Sequence, residues 1–406
     1  MASTTDSPAP TVREPAQTRA PRSPRRARRG RRAAVALAVA AVSVAAGMCG
    51  LPRPGIPPGD WEPSSSTEAV GAVAHRYRAS RFHRFWMGDG YRDLWSTVIR
   101  APIVDLGGFT PVRRGGGRQT RSLRLRGADG REYVFRSLDK DQSKALAPVK
   151  RALAGRIRQD QVSALHPGAA VVAAGLEDAA GVPNATPRLM VMPNLPRLGE
   201  FQADFGRLVG TLQERPRPGF AGAQRLEGTD EFWAALRRAP GDRVDVRAYL
   251  AVRLMDVYLG DWDRHGGQLT WGRTERGGVG TWTPIPRDRD YAFVDYGGVL
   301  PGLARRVDPK IVRFDTAYRD LKGLLVKSRE MDERLLCPLP PAVWDSTAAA
   351  MARSLSDGAI AAAIGRMPRE YVVRSAPLAA TLRARRDRLP NVARRFHARL
   401  HAGGRC

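Results

Sequence analysis

The stretch GDWDRHGGQ, residues 260–268, is the densest group of chemically active side chains in this chain of 406 residues. Its nine residues include two carboxylates, an imidazole, a guanidinium and a carboxamide. One interpretation is a polar loop that caps a helix and pairs its own charges. The other is a catalytic loop, in which Asp263 accepts a proton while Arg264 and His265 brace the loop. Asp261 is interpreted as structural, because the neighbouring Trp262 is expected to anchor the loop in the core.

The segment before this loop has the apolar spacing of a buried helix. VDVRAYLAVRLMDVYLG, residues 244–260, ends in Gly260, a residue typical of helix ends. The apolar residues that share one helical face are Val246, Tyr249, Leu250, Leu254, Val257 and Tyr258. The loop is therefore expected to be held by a rigid element, as catalytic loops usually are.

A second group of carboxylates follows about one hairpin later. Trp271 and Trp282 flank a glycine-rich turn, and PIPRDRD, residues 284–290, comes next. Gln268, Asp288 and Asp290 are the candidate metal ligands, with Asp263 beside them. Oxygen ligands suit Mg²⁺ or Mn²⁺, and the few cysteines and histidines offer no zinc site.

A glycine run precedes a third informative segment, residues 113–141. Leu123 and Leu125 alternate with arginine, GADG supplies a turn, and Tyr133 and Phe135 alternate again, which predicts a β-hairpin. Glycine N–H groups can approach phosphate closely, although a glycine run is also typical of a flexible surface loop. The candidate nucleotide-binding residues are Gly115, Gly116, Gly117, Gln119, Thr120, Arg136 and Lys140.

A helix is expected over residues 142–165. In the small lobe of a kinase, a helix at this place in the chain orients the cation that binds the phosphates of the nucleotide. The expected helix contains no Glu, so Asp160 or Gln161 would have to supply the partner. The segment 187–201 reads as a short buried strand and a proline-broken connector. This segment is either the hinge that binds the adenine of a nucleotide or an ordinary strand and loop.

The amino terminus has a different composition from the rest. Residues 1–32 contain nine arginines among Pro, Ser and Thr and are expected to be disordered. Residues 33–51 are uncharged and just long enough to span a membrane; a cleaved signal peptide and an Ala-rich buried helix are the alternatives. The basic leader predicts export of the chain on the carboxy-terminal side of this segment. Residues 52–74 are interpreted as a linker.

Charge and cysteine content narrow the function classes. The net charge of +27 favours anionic partners, yet no nucleic-acid-binding module is evident, so no nucleic-acid partner is expected. Cys49, Cys337 and Cys406 are too few for a disulfide framework, although a bridge between the last two is possible.

Four motifs in order resemble those of atypical kinases. This group joins phosphatidylinositol kinases, HipA-type toxin kinases, spore-coat CotH kinases and secreted Golgi casein kinases. The chain looks most similar to uncharacterised bacterial envelope proteins, and the likeness extends from about residue 77 to about residue 392. The motifs are GGGRQTRSLRL, FRSLDKD, GDWDRHGGQ and PIPRDRD.

The resemblance implies an α+β, two-lobed protein-kinase-like fold that uses ATP with Mg²⁺ or Mn²⁺. It implies a small β-rich lobe over residues 75–195 and a mostly helical large lobe over residues 196–400. By the same likeness Asp263 is the base, Gln268 a metal ligand in place of Asn, and Asp288 or Asp290 the metal-binding Asp. Arg136 stands where phosphatidylinositol kinases carry Lys.

The expected function is phosphate transfer to a hydroxyl of an unidentified protein, lipid or glycan, by a domain anchored to the membrane through residues 33–51 or exported. Two other classes remain open: an envelope-anchored pseudokinase scaffold, and a transferase that moves AMP. The scarcity of ATP outside the cytoplasm is the main objection to a kinase.

Overall fold

The hydrophobic patterning of this chain produces both sheets and helices, and the prediction of a mixed α+β protein is confirmed. The computed structural model describes residues 50–116, 119–145, 153–402 and 406. The predicted leader, the hydrophobic segment up to residue 49 and Gly117 lie outside these ranges. The described residues belong to one compact unit, Gly47–Cys406.

Three antiparallel or mixed sheets lie within the described part. A three-stranded sheet has the order β1-β2-β3, a five-stranded sheet the order β4-β5-β6-β8-β7, and a four-stranded sheet the order β10-β12-β11-β9. The strands are β1 Glu62–Pro63, β2 Glu68–Ala72, β3 Val98–Pro102, β4 Phe109–Arg114, β5 Thr120–Gly127, β6 Glu132–Lys140, β7 Arg188–Val191, β8 Val209–Glu214, β9 Arg225–Gly228, β10 Arg243–Val244, β11 Leu269–Arg276 and β12 Val279–Pro286.

Helices dominate the second half of the chain. Short 3₁₀ helices, such as Gln142–Ala145 and Gln161–Ala164, connect several of the elements. The α-helices are α1 Arg81–Met87, α2 Arg92–Ser96, α3 Leu153–Asp160, α4 Ala169–Ala179, α5 Gln202–Phe205, α6 Thr229–Arg238, α7 Val246–Leu259, α8 Val299–Ala304, α9 Leu321–Leu324, α10 Arg329–Leu336, α11 Pro341–Ser354, α12 Asp357–Ile364, α13 Arg369–Val372 and α14 Ala376–His401.

Both predicted hairpins are confirmed. Strands β5 and β6 pair antiparallel on either side of the GADG turn, and β11 pairs with β12 around Gly277 and Gly278, both of which have positive φ. Strand β4 pairs antiparallel with β5 in the same sheet, and Gly115 and Gly116 directly follow β4. One face of this sheet covers a small core that contains Leu123, Leu125 and Phe135.

Helix α7 is buried along nearly its whole length, and its predicted end is confirmed. Gly260 follows it in the left-handed conformation, with φ of 70°. The helix end is further held by Arg385 of α14, which is 1% exposed and donates hydrogen bonds to the carbonyls of Tyr258 (2.8 Å) and Val257 (2.6 Å). A cation at this end also complements the helix dipole.

The predicted linker is wrong, because residues 52–74 belong to the folded unit. Strand β2 lies between β1 and β3, and the Trp61 side chain is 1% exposed. The proline and glycine content of the segment had suggested a solvated chain, but two short strands and one large aromatic residue are enough to hold it on the core.

The boundary expected at residue 195 divides a sheet. Strand β7 precedes it and β8 follows it, and the two pair antiparallel from Arg188↔Leu212 to Val191↔Val209. The segment 187–201 itself is the predicted strand followed by a 3₁₀ helix, Pro196–Phe201. The five-stranded sheet therefore extends along the chain to Glu214, past the expected boundary.

The two cysteines within the described residues are bonded to each other. Cys337, just after α10, forms a disulfide with Cys406, with 5.2 Å between the Cα atoms. No helix in the described ranges has the length and apolarity needed to cross a membrane, and residues 33–49 lie outside them. Leu51, the last residue of the predicted segment, is 3% exposed.

Candidate functional site

The loop after α7 is held in place by the buried Arg264. Its guanidinium pairs with the carboxylates of Asp256 (3.0 Å) and Asp261 (3.2 Å) and donates to the carbonyls of Gln268 (2.7 Å) and Arg287 (2.8 Å). Arg264 is 1% exposed, so its guanidinium is used inside the loop.

A second arginine extends this buried network. Arg289 pairs with Asp256 of α7, with Asp261 at 3.2 Å, and with Glu177 of α4 at 2.6 Å. Burial opposes the charge on Asp256, but Arg264, Arg289 and Arg253 outweigh it and lower its pKa to about 2. Asp261 has a structural position, because both of its oxygens are used inside the loop.

Asp263 differs from these buried carboxylates because its side chain is 18% exposed. Its Oδ1 lies 3.0 Å from Nζ of Lys327, and its N–H donates to Asp261 Oδ1 at 3.1 Å. The ammonium group of Lys327 also lies 5.4 Å from the ring centre of Trp262. The candidate base is thus accessible and has a cation beside it that no sequence motif identifies.

His265 lies between the two groups of carboxylates. Its Nδ1 accepts a hydrogen bond from the N–H of Gly267 at 3.1 Å, which starts a 3₁₀ turn over Gly266–Gln268. Burial lowers the pKa of His265, while the negative charges of Asp263 and Asp288 partly oppose the shift. The imidazole is therefore neutral at pH 7 and positions the loop.

The second group of carboxylates meets both predicted cations of β6. Asp288 Oδ2 lies 2.9 Å from Nη1 of Arg136, and Asp290 Oδ2 lies 2.9 Å from Nζ of Lys140. Arg136 and Lys140 both belong to β6, and both reach the loop after β12. Four predicted site residues from distant parts of the chain are thus brought together.

Asp288 has features expected of a metal ligand. Its φ is 58°, a conformation that turns the chain sharply after β12. Its Oδ1 is buried and has no hydrogen-bond partner within the described part of the chain. An unsatisfied carboxylate oxygen costs free energy unless a cation or water completes it. The oxygen donors of Asp288, Asp290 and Gln268 fit Mg²⁺ or Mn²⁺ chemically.

Gln268 is placed by its backbone rather than by its side chain. Its N–H donates to the carbonyl of His265 (2.8 Å), and its carbonyl accepts from the N–H of Arg287 (2.9 Å). The two loops are therefore joined directly beside Asp288. Among the residues that the structure describes, no group of three or more His, Cys, Asp or Glu side chains is arranged to hold a metal ion.

The glycine-rich loop approaches the same place from the sheet. The N–H of Gly115 donates to the carbonyl of Ser122 at 2.7 Å, and Gly116 is exposed with open space around its Cα. Gly117 lies outside the described residues. Thr120 is opposite Lys140 in the strand register, which puts the end of this loop next to a predicted cation.

Tyr291 connects the loop to the carboxylates, although the sequence motifs did not single it out. Its hydroxyl donates to Gln119 Oε1 at 3.4 Å, and its ring lies 4.5 Å from Nζ of Lys140. The same ring contacts Trp262 of the loop after α7, with 4.9 Å between ring centres. A tyrosine directly after Asp290 was the available signal, but only the tertiary structure shows what it touches.

The predicted partner for the phosphate-binding cation is wrong. Asp160 is buried and bonds to Arg92 (2.6 Å) and His83 (3.1 Å), so it is not available to Lys140 or Arg136. Gln161 donates to the carbonyl of Met87 instead. The expected helix 142–165 also differs: it begins with a 3₁₀ turn, and its described α-helical part is α3, with residues 146–152 outside the described ranges.

Comparison with known proteins gives a distant structural likeness. No protein family matches the chain, and no curated protein matches it. The structure is similar to that of a Helicobacter pylori proinflammatory kinase, CtkA, with 11% sequence identity and a TM-score of 0.36. The match covers 72% of this chain and 95% of that one. This likeness is too distant to assign a function, so the function has to be inferred from the residues themselves.

Proposed function

We propose that this protein is an ATP-dependent phosphotransferase with a two-lobed, kinase-like arrangement of its catalytic groups. The observation that carries the proposal is the meeting of Arg136 and Lys140 with Asp288 and Asp290, next to a loop that presents Asp263. Cations on a strand, carboxylates on a loop and an accessible carboxylate nearby are the components that phosphoryl transfer requires.

The roles follow from the positions of the side chains. Arg136 and Lys140 bind the phosphates of ATP, exchanging carboxylate oxygens for phosphate oxygens. The N–H group of Gly116 adds a donor, whereas the N–H of Gly115 is already used by the carbonyl of Ser122. Asp288 and Asp290, with Gln268, would hold Mg²⁺ or Mn²⁺, which when bound offsets phosphate charge.

The transfer step uses Asp263 as the proton acceptor. The hydroxyl oxygen of the acceptor attacks the γ-phosphorus, and the bond from that phosphorus to the bridging oxygen breaks, so ADP leaves with the electron pair. The hydroxyl proton goes to the carboxylate of Asp263. Arg264 and His265 hold the loop so that this carboxylate stays in position.

One observation favours a second function, that of a scaffold without turnover. Arg136 and Lys140 are already paired with Asp288 and Asp290, and Lys140 is buried. Since each charge has its partner, the same groups could serve only to hold the two regions of the fold together.

Labelled nucleotide distinguishes these functions. The purified full chain is incubated with γ-labelled or α-labelled ATP, Mg²⁺ or Mn²⁺, and the protein, lipid and glycan fractions of an envelope extract. Transfer of γ-label supports the kinase and identifies the acceptor class, whereas transfer of α-label indicates a nucleotidyltransferase. Nucleotide binding without transfer leaves the scaffold, and an absence of binding overturns the proposal.

We also propose that residues 52–406 lie outside the cytoplasm. The basic leader and the uncharged segment 33–51 support export, and the disulfide between Cys337 and Cys406 agrees with an oxidising compartment. A reporter fused after residue 406 should be active only outside the cytoplasm. Cytoplasmic activity of that fusion would contradict the localisation and remove the objection that ATP is scarce.

A further inference from the structure

One face of the five-stranded sheet carries arginines where the opposite face carries the core. Arg113 of β4 is directly opposite Arg124 of β5, and Arg124 is opposite Val134 of β6. Arg136 follows Val134 by two residues, so its side chain is on the same face. Arg215, two residues beyond Gln213, also lies on this face, since Gln213 is opposite Val134.

A fifth arginine approaches from the loop after β12. Arg287 is exposed and donates through Nη2 to the carbonyl of Gly267 at 2.8 Å. It immediately precedes Asp288, whose carboxylate bonds to Arg136. The arginine cluster, defined as Arg113, Arg124, Arg136, Arg215 and Arg287, is therefore continuous with the candidate site.

The carboxylates near the arginine cluster are too few to neutralise its positive charge. Glu132 is shared between Arg215 (2.8 Å) and Arg124 (3.5 Å), and Asp288 pairs with Arg136. Within the described ranges, neither Arg113 nor Arg287 forms an ion pair with a carboxylate. The cluster thus has an excess of positive charge directly beside a site that is itself proposed to bind phosphates.

The arginines are close enough to disturb one another. Burial lowers the pKa of Arg124, and the positive charges of Arg215 and Arg113 lower it further. The Nε atom of Arg124 is also buried without a hydrogen-bond partner in the described part of the chain. Both features are relieved when an anion binds among these side chains.

We propose that the arginine cluster binds a condensed phosphate chain, and that linear inorganic polyphosphate is a phosphoryl donor for this protein. The inference rests on the proposed function, because the terminal phosphate is taken to lie at Arg136 and Asp288. From there the remaining phosphates follow the sheet face toward Arg113 and Arg215.

Geometry and chemistry favour phosphate over other anions. The cluster crosses from β4 to β8, three strand spacings or roughly 14 Å. The planar arginine fork matches phosphate oxygens with two parallel hydrogen bonds. Arg136 belongs both to the arginine cluster and to the transfer site. A chain of phosphates bound on the cluster is therefore continuous with the phosphate that is transferred.

The reaction balances without any further reactant. The acceptor hydroxyl oxygen forms a bond to the terminal phosphorus, and the bond from that phosphorus to the bridging oxygen breaks. The shortened chain leaves with the electron pair, and the hydroxyl proton goes to Asp263. A donor other than ATP also suits a protein proposed to act where ATP is scarce.

Binding measurements on the full chain test this inference. Inorganic polyphosphate, tripolyphosphate, Mg-ATP and poly-glutamate are titrated against the parent and against the double variant Arg113→Gln/Arg215→Gln. The matched control is Arg100→Gln/Arg399→Gln, which removes two exposed arginines that have no ion pair in the described part of the protein. Polyphosphate should bind the parent more tightly than tripolyphosphate does. The cluster variant should lose about tenfold in polyphosphate affinity or more.

The other outcomes separate the two proposals. Mg-ATP affinity should be the same in the parent and in the cluster variant, because Arg113 and Arg215 are outside the proposed ATP contacts. If ATP binds but polyphosphate does not bind more tightly than tripolyphosphate, this inference is wrong and the kinase proposal stands. If neither ATP nor polyphosphate binds, both fail. Equal losses in the control variant, or equal binding of poly-glutamate, would reveal a general polyanion surface and overturn the inference.

Discussion

Asp288 and Asp290 lie two residues apart, yet their pKa values shift in opposite directions. Burial opposes ionisation of Asp288, but Arg136 and Lys140 outweigh it and lower its pKa to about 2. Burial and then the charge of Asp288 raise the pKa of Asp290, despite the nearby Lys140. If the site holds a metal ion as proposed, Asp288, whose ionised form is favoured, is the better candidate ligand for a hard cation.

Substituting each of these carboxylates should separate their roles. Asp288→Asn should remove metal-dependent nucleotide binding, because it deletes a charged ligand. The variant should still fold, since Asn accepts the positive φ of 58° at this position. Titrating ATP with and without Mg²⁺ measures the effect. Asp290→Asn is the paired variant: if it alone loses metal dependence, the metal-binding role belongs to Asp290.

Asp263→Asn should lose transfer but keep binding. The amide has nearly the same size as the carboxylate but cannot accept a proton, and a general base typically supplies about 10²- to 10⁴-fold in rate. Single-turnover transfer and ATP affinity, measured side by side, provide the check. A parent-like transfer rate would exclude Asp263 as the base.

Local sequence patterns indicated which residues to examine, but not all of their partners. Asp263, Arg136 and Lys140 stand in motifs that could be read directly from the chain. Nothing in the sequence around Lys327 marks it, and the only signal for Tyr291 is that it directly follows Asp290. Their importance comes only from contacts with Asp263 and Lys140 across the fold.

At the scale of the elements, the glycine-rich loop lies between β4 and β5 in the chain, and its two described glycines are not equivalent. A side chain at Gly115 would collide with Ser122, whereas a Cβ at Gly116 would meet no atom within 4 Å. Gly116 is therefore the position where a substitution can block a ligand without disturbing the hairpin.

Gly116→Val should weaken nucleotide binding and leave thermal stability nearly unchanged. The β-branched side chain prevents close approach of phosphate and restricts the backbone. Parallel measurements of ATP affinity and Tm test both parts of the expectation. Gly241→Val is the control for changing a surface glycine and should not affect nucleotide affinity, because Gly241 is exposed in a turn where a Cβ also meets no atom within 4 Å. If ATP affinity is unaltered in Gly116→Val, the loop is an ordinary surface turn.

The elements that could be predicted were those defined by neighbouring residues. Helix α7 and the hairpins β5–β6 and β11–β12 follow from periodicity and turn residues. Strands β1 to β4 and β8 to β10 were missed. Most of them are short or pair with distant segments, and short strands are specified by tertiary contacts. The same reason explains why the predicted linker and the boundary at residue 195 were wrong.

At the scale of the whole molecule, a buried charge network joins segments from across the chain. Asp256 of α7 accepts from Arg264 and Arg289, and also from Arg253, which in turn bonds to Asp332 of α10 at 2.8 Å. The Asp256 side chain has no exposed surface. Removing one member of such a network leaves opposite charges buried without compensation.

Asp256→Asn should destabilise the protein by about 3–5 kcal/mol at pH 7. Because the folded-state pKa of Asp256 is lowered from 3.8 to about 2, its ionisation contributes stability above pH 3.8 that is lost as the pH falls through 2. The difference between parent and variant should therefore shrink by about 2 kcal/mol over that window. Urea unfolding at several pH values measures it. A pH-independent difference would show that Asp256 does not carry this charge.

Arg136 and Asp288 are 152 residues apart in the chain, so the two partners of this ion pair are synthesised at different times. During synthesis the strand with the cations emerges early, and its carboxylates follow only after the large intervening segment has been made. A growing chain shorter than about 290 residues has the cations but no completed site. Contacts so distant in sequence also form slowly once the chain is free. If the site binds phosphate as proposed, this capacity arises late, and a chain exported before folding would acquire it only at its destination.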